Sequence, residues 1–174
     1  GIGWPRLGVP GHEPGPAGAA VRTLVALAAA QGEQAEEVFD NAIVVIDPCL
    51  NPDGRQRYVS WYENTVGADP DPHAQSAEHD EPWPGGRTNH YLFDLNRDWV
   101  WGFQPESAAR VPTYREYLPH LHIDSHEQGY ENPFFFGQGD TPYHANIPES
   151  TREWIKLYGR ANAEVFDKRG WVYS

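Results

Sequence analysis

Three short segments carry residue types whose chemistry reaches beyond packing. The first is Gly11-His12-Glu13-Pro14, directly ahead of a helical pattern. A carboxylate there is stabilised by the positive end of the helix dipole. The same residue also reads as an acid in a solvated loop, because helix starts attract acids generally. The second is Leu121-His122-Ile123-Asp124-Ser125-His126-Glu127, where apolar and polar residues alternate. An alternating strand turns His122, Asp124 and His126 to one face. In an α/β sheet ligands gather at the carboxyl ends of strands, and neutral imidazole with carboxylate is a common zinc donor set. The competing reading is a pair of hydrogen-bonded histidines near the surface. The third is Phe93-Asp94-Leu95-Asn96-Arg97-Asp98-Trp99. Arg97 offers a planar fork of donors and Asn96 an amide, enough to grip a carboxylate at two points. The alternative is a surface pair between Arg97 and Asp94 or Asp98.

The elements that must hold these segments follow from periodicity. Residues 1–16 are rich in Gly and Pro and read as loop. Ala17–Ala30 sets Val21, Leu24, Val25 and Ala28 on one face at helical spacing, with Gly32 as a stop. Ala42–Asp47 reads as a short, fully buried strand, and Asn51-Pro52-Asp53-Gly54 as a tight turn. Thr65–Thr88 is polar, acidic and broken by prolines, which predicts a long loop. Tyr91–Leu95 reads as a short strand, Pro105–Leu118 as a helix containing Pro112, and Leu121–His126 as a strand. Phe134–Phe136 is a further apolar segment, and Glu149–Asp167 a long helix carrying Trp154, Ile155, Tyr158 and Val165. Strands alternating with helices predict an α/β layer. No internal repeat or linker interrupts residues 1–174, so a single domain is expected.

Composition narrows the function classes. The 174 residues suffice for one domain with a substantial core. A formal charge of −12 argues against a nucleic-acid backbone or an anionic membrane as partner, while leaving room for a local basic pocket. The longest apolar stretch, Val21–Ala30, includes Arg22 and is too short to span a bilayer. Cys49 is the only cysteine, so an intrachain disulfide and a thiolate-rich zinc site are both excluded. Any metal would rest on His and carboxylates. Met is absent, even at position 1, which leads to the expectation of a processed chain or a fragment.

Read in order, four stretches resemble the zinc carboxypeptidase family, the family of pancreatic carboxypeptidase A. They are Val9-Pro10-Gly11-His12-Glu13-Pro14, Leu50-Asn51-Pro52-Asp53-Gly54, Phe93 to Trp99, and His122-Ile123-Asp124-Ser125-His126-Glu127-Gln128-Gly129. The Trp83-Pro84-Gly85-Gly86-Arg87 connection is similar to a bacterial subgroup of larger secreted members. The resemblance implies an α/β fold with a mixed, mostly parallel sheet and helices on both faces, truncated here on the C-terminal side. It implies a Zn²⁺ cofactor, with Glu13 as carboxylate ligand and His126 as imidazole ligand. Asn96 and Arg97 would hold the free α-carboxylate of a peptide, and Arg87 would polarise the scissile carbonyl. The implied partners are peptide or protein C-termini, and the implied setting is secreted or periplasmic.

The family motif has a histidine three residues before the ligand glutamate; Pro10 stands there in this chain, and His12 is the remaining nearby candidate. The family's general-base glutamate and substrate-covering tyrosine lie on later segments, and nothing before Ser174 resembles them. The expectation is therefore a piece of a longer peptidase or a degenerate member, with an exposed sheet edge that invites self-association. Two other functions stay open. One is an amide hydrolase of the same superfamily acting on N-acyl amino acids. The other is an inactive peptide- or carbohydrate-binding module using loop aromatics such as Trp61, Trp83, Trp99 and Trp101.

Overall fold

The structure, a computed structural model, describes residues 1–7, 9–129, 131–136 and 142–174. The chain forms two compact units, Gly1–Glu127 and Gln128–Ser174. The fold is α/β, as expected. The first unit holds β1 (Ile2–Leu7), α1 (Pro14–Ala29), α2 (Glu33–Asn41), β2 (Ile43–Val44), α3 (Pro52–Thr65), α4 (Pro105–Tyr117) and β3 (Leu121–Ser125). The second holds α5 (Glu149–Arg169). Among the described residues the sheet has three strands in the order β2-β1-β3, and both pairings are parallel. No helix among them is long and apolar enough to cross a membrane.

The central strand is a correction, because residues 1–16 were expected to be loop. Gly3 and Pro5 hide β1, since proline rarely sits in an interior strand. The ladder shows how it is tolerated. The carbonyls of Gly1, Gly3 and Pro5 accept from the amides of Ile43, Val45 and Asp47, so these residues turn towards β2. The donor that Pro5 lacks is missing on that side, where β2 is only two residues long. The β1–β3 ladder runs unbroken from Gly3↔Leu121 to Leu7↔Ser125.

Other expectations shift for local reasons. Strand Ala42–Asp47 shortens to β2 and lies at the sheet edge; Ile43 is 55% exposed, so the strand is not fully buried. The polar α2 has no apolar stripe to announce it, and Gly32, the expected stop, precedes it as N-cap at φ +91°. The expected turn at Asn51–Gly54 is the start of α3. Asn51 caps it by accepting from the Gly54 amide at 2.9 Å, and Pro52 occupies the first turn. The expected strand Tyr91–Leu95 is instead a turn. Leu92 adopts φ +65°, the Asn89 carboxamide accepts from the Tyr91 and Phe93 amides, and a 3₁₀ turn follows at Leu95–Arg97.

Among the described residues Val9, Leu50 and Leu95 form a buried apolar cluster. Trp4 on β1 is buried against Tyr114 and Tyr117 of α4. In α1 the buried positions are Pro16 and Ala20, whereas Val21, Leu24 and Val25 remain exposed. In the second unit Phe134, Phe136, Phe166, Trp171 and Tyr173 cluster ring to ring beside the C-terminal end of α5. Gly170 ends that helix in the left-handed region.

Candidate metal and carboxylate site

Two loops and the start of α3 meet backbone to backbone at Gly11, Gly86 and Gly54. The Gly11 amide donates to the Gly86 carbonyl at 2.8 Å. A Cβ on Gly11 would collide with the backbone of Gly54 and Arg55, and one on Gly86 would lie 2.7 Å from the Gly54 carbonyl oxygen. Only glycine fits such an approach. This contact brings the segment after β1, the start of α3 and the loop bearing Arg87 into one place.

Glu13 takes the N-cap position of α1, yet its side chain makes no capping bond. Its Oε2 instead accepts from His126 Nδ1 at 3.0 Å and from the Glu127 amide at 3.0 Å. Glu13 is buried, and the two partners follow directly after β3. His126 Nε2 lies 3.3 Å from Asp124 Oδ2, as the shared strand face predicts. Hydrogen bonds to Asp124 and then to Glu13 push the imidazole up to about 9, against a smaller opposing effect of burial. The two carboxylates favour the protonated ring, and a metal taking Nδ1 has to displace its proton. Glu127 turns its own carboxylate to the Gly15 amide in the first turn of α1.

The other expected residues fall in three places. His12 Nδ1 is buried and has no hydrogen-bond partner among the described residues. His122 packs among aromatic rings, 5.3 Å from Tyr114 and 5.8 Å from Trp99. Arg87 forms an ion pair with Asp94, Nη2 at 2.9 Å and Nε at 3.1 Å from one carboxylate oxygen. Asp94 also accepts from the Asn96 amide, and Asp98 accepts from Phe103 and Gln104. Neither acid holds Arg97, so the surface pairing weighed for it is not the arrangement found. The Arg97 side chain is exposed and bonds only the neighbouring Asn96 carbonyl, at 3.1 Å, among the described residues.

Donor chemistry tests whether the site suits a cation. Zinc sits ~2.0–2.1 Å from nitrogen and oxygen donors, so two donors of one ion stand about 3 Å apart. Glu13 Oε2 and His126 Nδ1 meet that separation. A third protein donor is not assembled: among the described residues no group of three or more His, Cys, Asp or Glu is placed to hold a metal ion. Pro10, fully buried, has no side-chain donor to offer.

Periodicity missed the residues that support this arrangement. Arg57 on α3 binds the Gly85–Asn89 loop through its backbone, and Asn51 caps the same helix beside it. No pattern within α3 distinguishes Arg57 from a solvated arginine, and the only signal was its position three residues after Gly54.

Comparison with known families gives one finding. The family described as zinc carboxypeptidase matches residues 10–127. No curated protein and no solved structure matches the chain.

Proposed function

The chain belongs to the zinc carboxypeptidase family, whose match covers more than half of it, and we propose that it hydrolyses the C-terminal peptide bond of peptides in a zinc-dependent reaction. Family membership makes the chain a hydrolase of that superfamily. Zinc-dependent cleavage at a peptide C-terminus is supported chiefly by Glu13 and His126, distant in sequence, which present donor atoms 3.0 Å apart.

In this reading Glu13 and His126 hold the ion, and His12, whose buried Nδ1 has no partner among the described residues, is the further candidate. Zinc held there would supply Lewis acidity and an activated water. The remaining roles belong to the chain's own side chains. Arg97 with Asn96 binds the terminal α-carboxylate; among the described residues the exposed fork has no acidic partner to give up first. Substrates without a free carboxylate leave that fork unsatisfied, which favours exopeptidase action. Arg87 faces the carbonyl oxygen. Asp94 engages Nε and Nη2, fixing the plane of the guanidinium and leaving Nη1 to donate.

The test is metal content together with turnover. Purified protein should retain zinc and cleave a blocked dipeptide with a free C-terminus faster than its amidated counterpart. Cleavage of N-acyl amino acids alone would transfer the site to the amide-hydrolase reading. Binding of the free-acid peptide without turnover, at any zinc loading, would leave a receptor in place of an enzyme.

A further inference from the structure

The loop that carries Arg87 is held by an arginine outside the four family-like stretches. Arg57, half-buried on α3, donates through Nη1 to the Gly85 carbonyl at 2.6 Å and the Thr88 carbonyl at 3.2 Å. Its Nη2 donates to the Asn89 carbonyl at 2.9 Å, and the Thr88 hydroxyl lies 3.4 Å from Nη1. The backbone is therefore gripped on both sides of Arg87, by one rigid planar group. Among the described residues Arg57 forms no ion pair, so its donors are committed to these carbonyls. The rest of the loop is fixed around the same point. Gly86 donates to Glu81, its carbonyl accepts from Gly11, and Asn89 is fully buried with its amide 2.9 Å from Gln104.

We propose that Arg57 is a positioning residue for Arg87: its guanidinium, bridging the carbonyls of Gly85, Thr88 and Asn89, fixes the loop so that Arg87 meets Asp94 on one side and a substrate carbonyl on the other. This rests on the role given to Arg87 above. Arg57 reaches no substrate in this arrangement and acts only through the loop. Lysine is a point charge that cannot span three carbonyls in a plane, so it replaces arginine only in part.

The experiment compares Arg57→Ala, Arg57→Lys, Arg87→Ala and the Arg57→Ala/Arg87→Ala double variant in the full chain. Hydrogen exchange at residues 85–89 should accelerate ~10-fold or more in Arg57→Ala while β1 and β3 stay protected, with Arg57→Lys in between. Turnover in Arg57→Ala should fall mainly in kcat, and the double variant should be no slower than Arg87→Ala alone. Unchanged loop exchange in Arg57→Ala overturns the proposal, as do kcat losses that multiply in the double variant. If Arg87→Ala retains full turnover, the role of Arg87 falls. The exchange data then still decide whether Arg57 holds the loop. Should Arg57→Ala unfold, the Lys variant carries the comparison, and protection equal to wild type in it counts against the fork.

Discussion

The carboxylate of Asp98 accepts a hydrogen bond from the Gln104 amide at 2.9 Å, one residue before α4 begins. The Phe103 amide adds a second at 3.1 Å. Asp98 thus satisfies backbone donors at the start of the helix from six positions upstream, and both residues are buried. Burial alone raises the Asp98 carboxyl, but hydrogen bonds from Ser107, Gln104 and Phe103 outweigh it and hold the group below its ordinary value.

A depressed carboxyl contributes stability above its unfolded value of ~3.9 and loses it as pH falls through the lower folded value. Asp98→Asn should cost about 1–3 kcal/mol at neutral pH. It should also flatten the loss of stability below about pH 4. Urea unfolding at several acidic pH values measures both. Identical acid slopes in the two proteins would remove Asp98 from that role.

The glycine contact predicts a contrast between two alanine substitutions. Gly11→Ala places a methyl group against the Gly54–Arg55 backbone, which cannot yield as a side chain would. A loss of about 3 kcal/mol or failure to fold is expected. Gly18, inside α1, has open space around it, so Gly18→Ala should be neutral or stabilise by up to ~1 kcal/mol. Denaturant midpoints at similar effect for both positions would contradict the packing described.

His126→Ala removes one of the two proposed donors and leaves buried Glu13 with only the Glu127 amide among the described residues. Zinc retention should drop to background, measured as metal per chain after dialysis. Undiminished stoichiometry would place the ion elsewhere.

Arg97→Ala should reduce kcat/KM for free-acid substrates by about 10- to 100-fold, the worth of a charge-assisted hydrogen bond. Amidated substrates should change little. Equal losses on both would dissociate Arg97 from the terminal carboxylate.

How much could be read from residue order differs by element. Helices α1, α4 and α5 and strand β3 follow from spacing and flanking residues, because their patterns are local. β1 was hidden by Gly3 and Pro5; its longer pairing lies with β3, far along the chain. Asn51-Pro52 fits a turn and a helix start equally well until the Gly54 amide is seen to be capped. At the site, Glu13 and His126 each had an ordinary local explanation, and only resemblance to a family joined them. That Arg87, rather than Arg97, takes Asp94 is set within a loop whose backbone also bonds Arg57 on another element, which no local pattern encodes.

The middle position of β1 also bears on biosynthesis. β1 leaves the ribosome well before β3 and must wait for it, and Glu13 for a histidine 113 positions later. Such distant parallel pairing is slow to form. Nascent chains halted before Ser125 should thus hold an unfinished, protease-sensitive half-site, and one extra stretch of translation should convert it into a closed one.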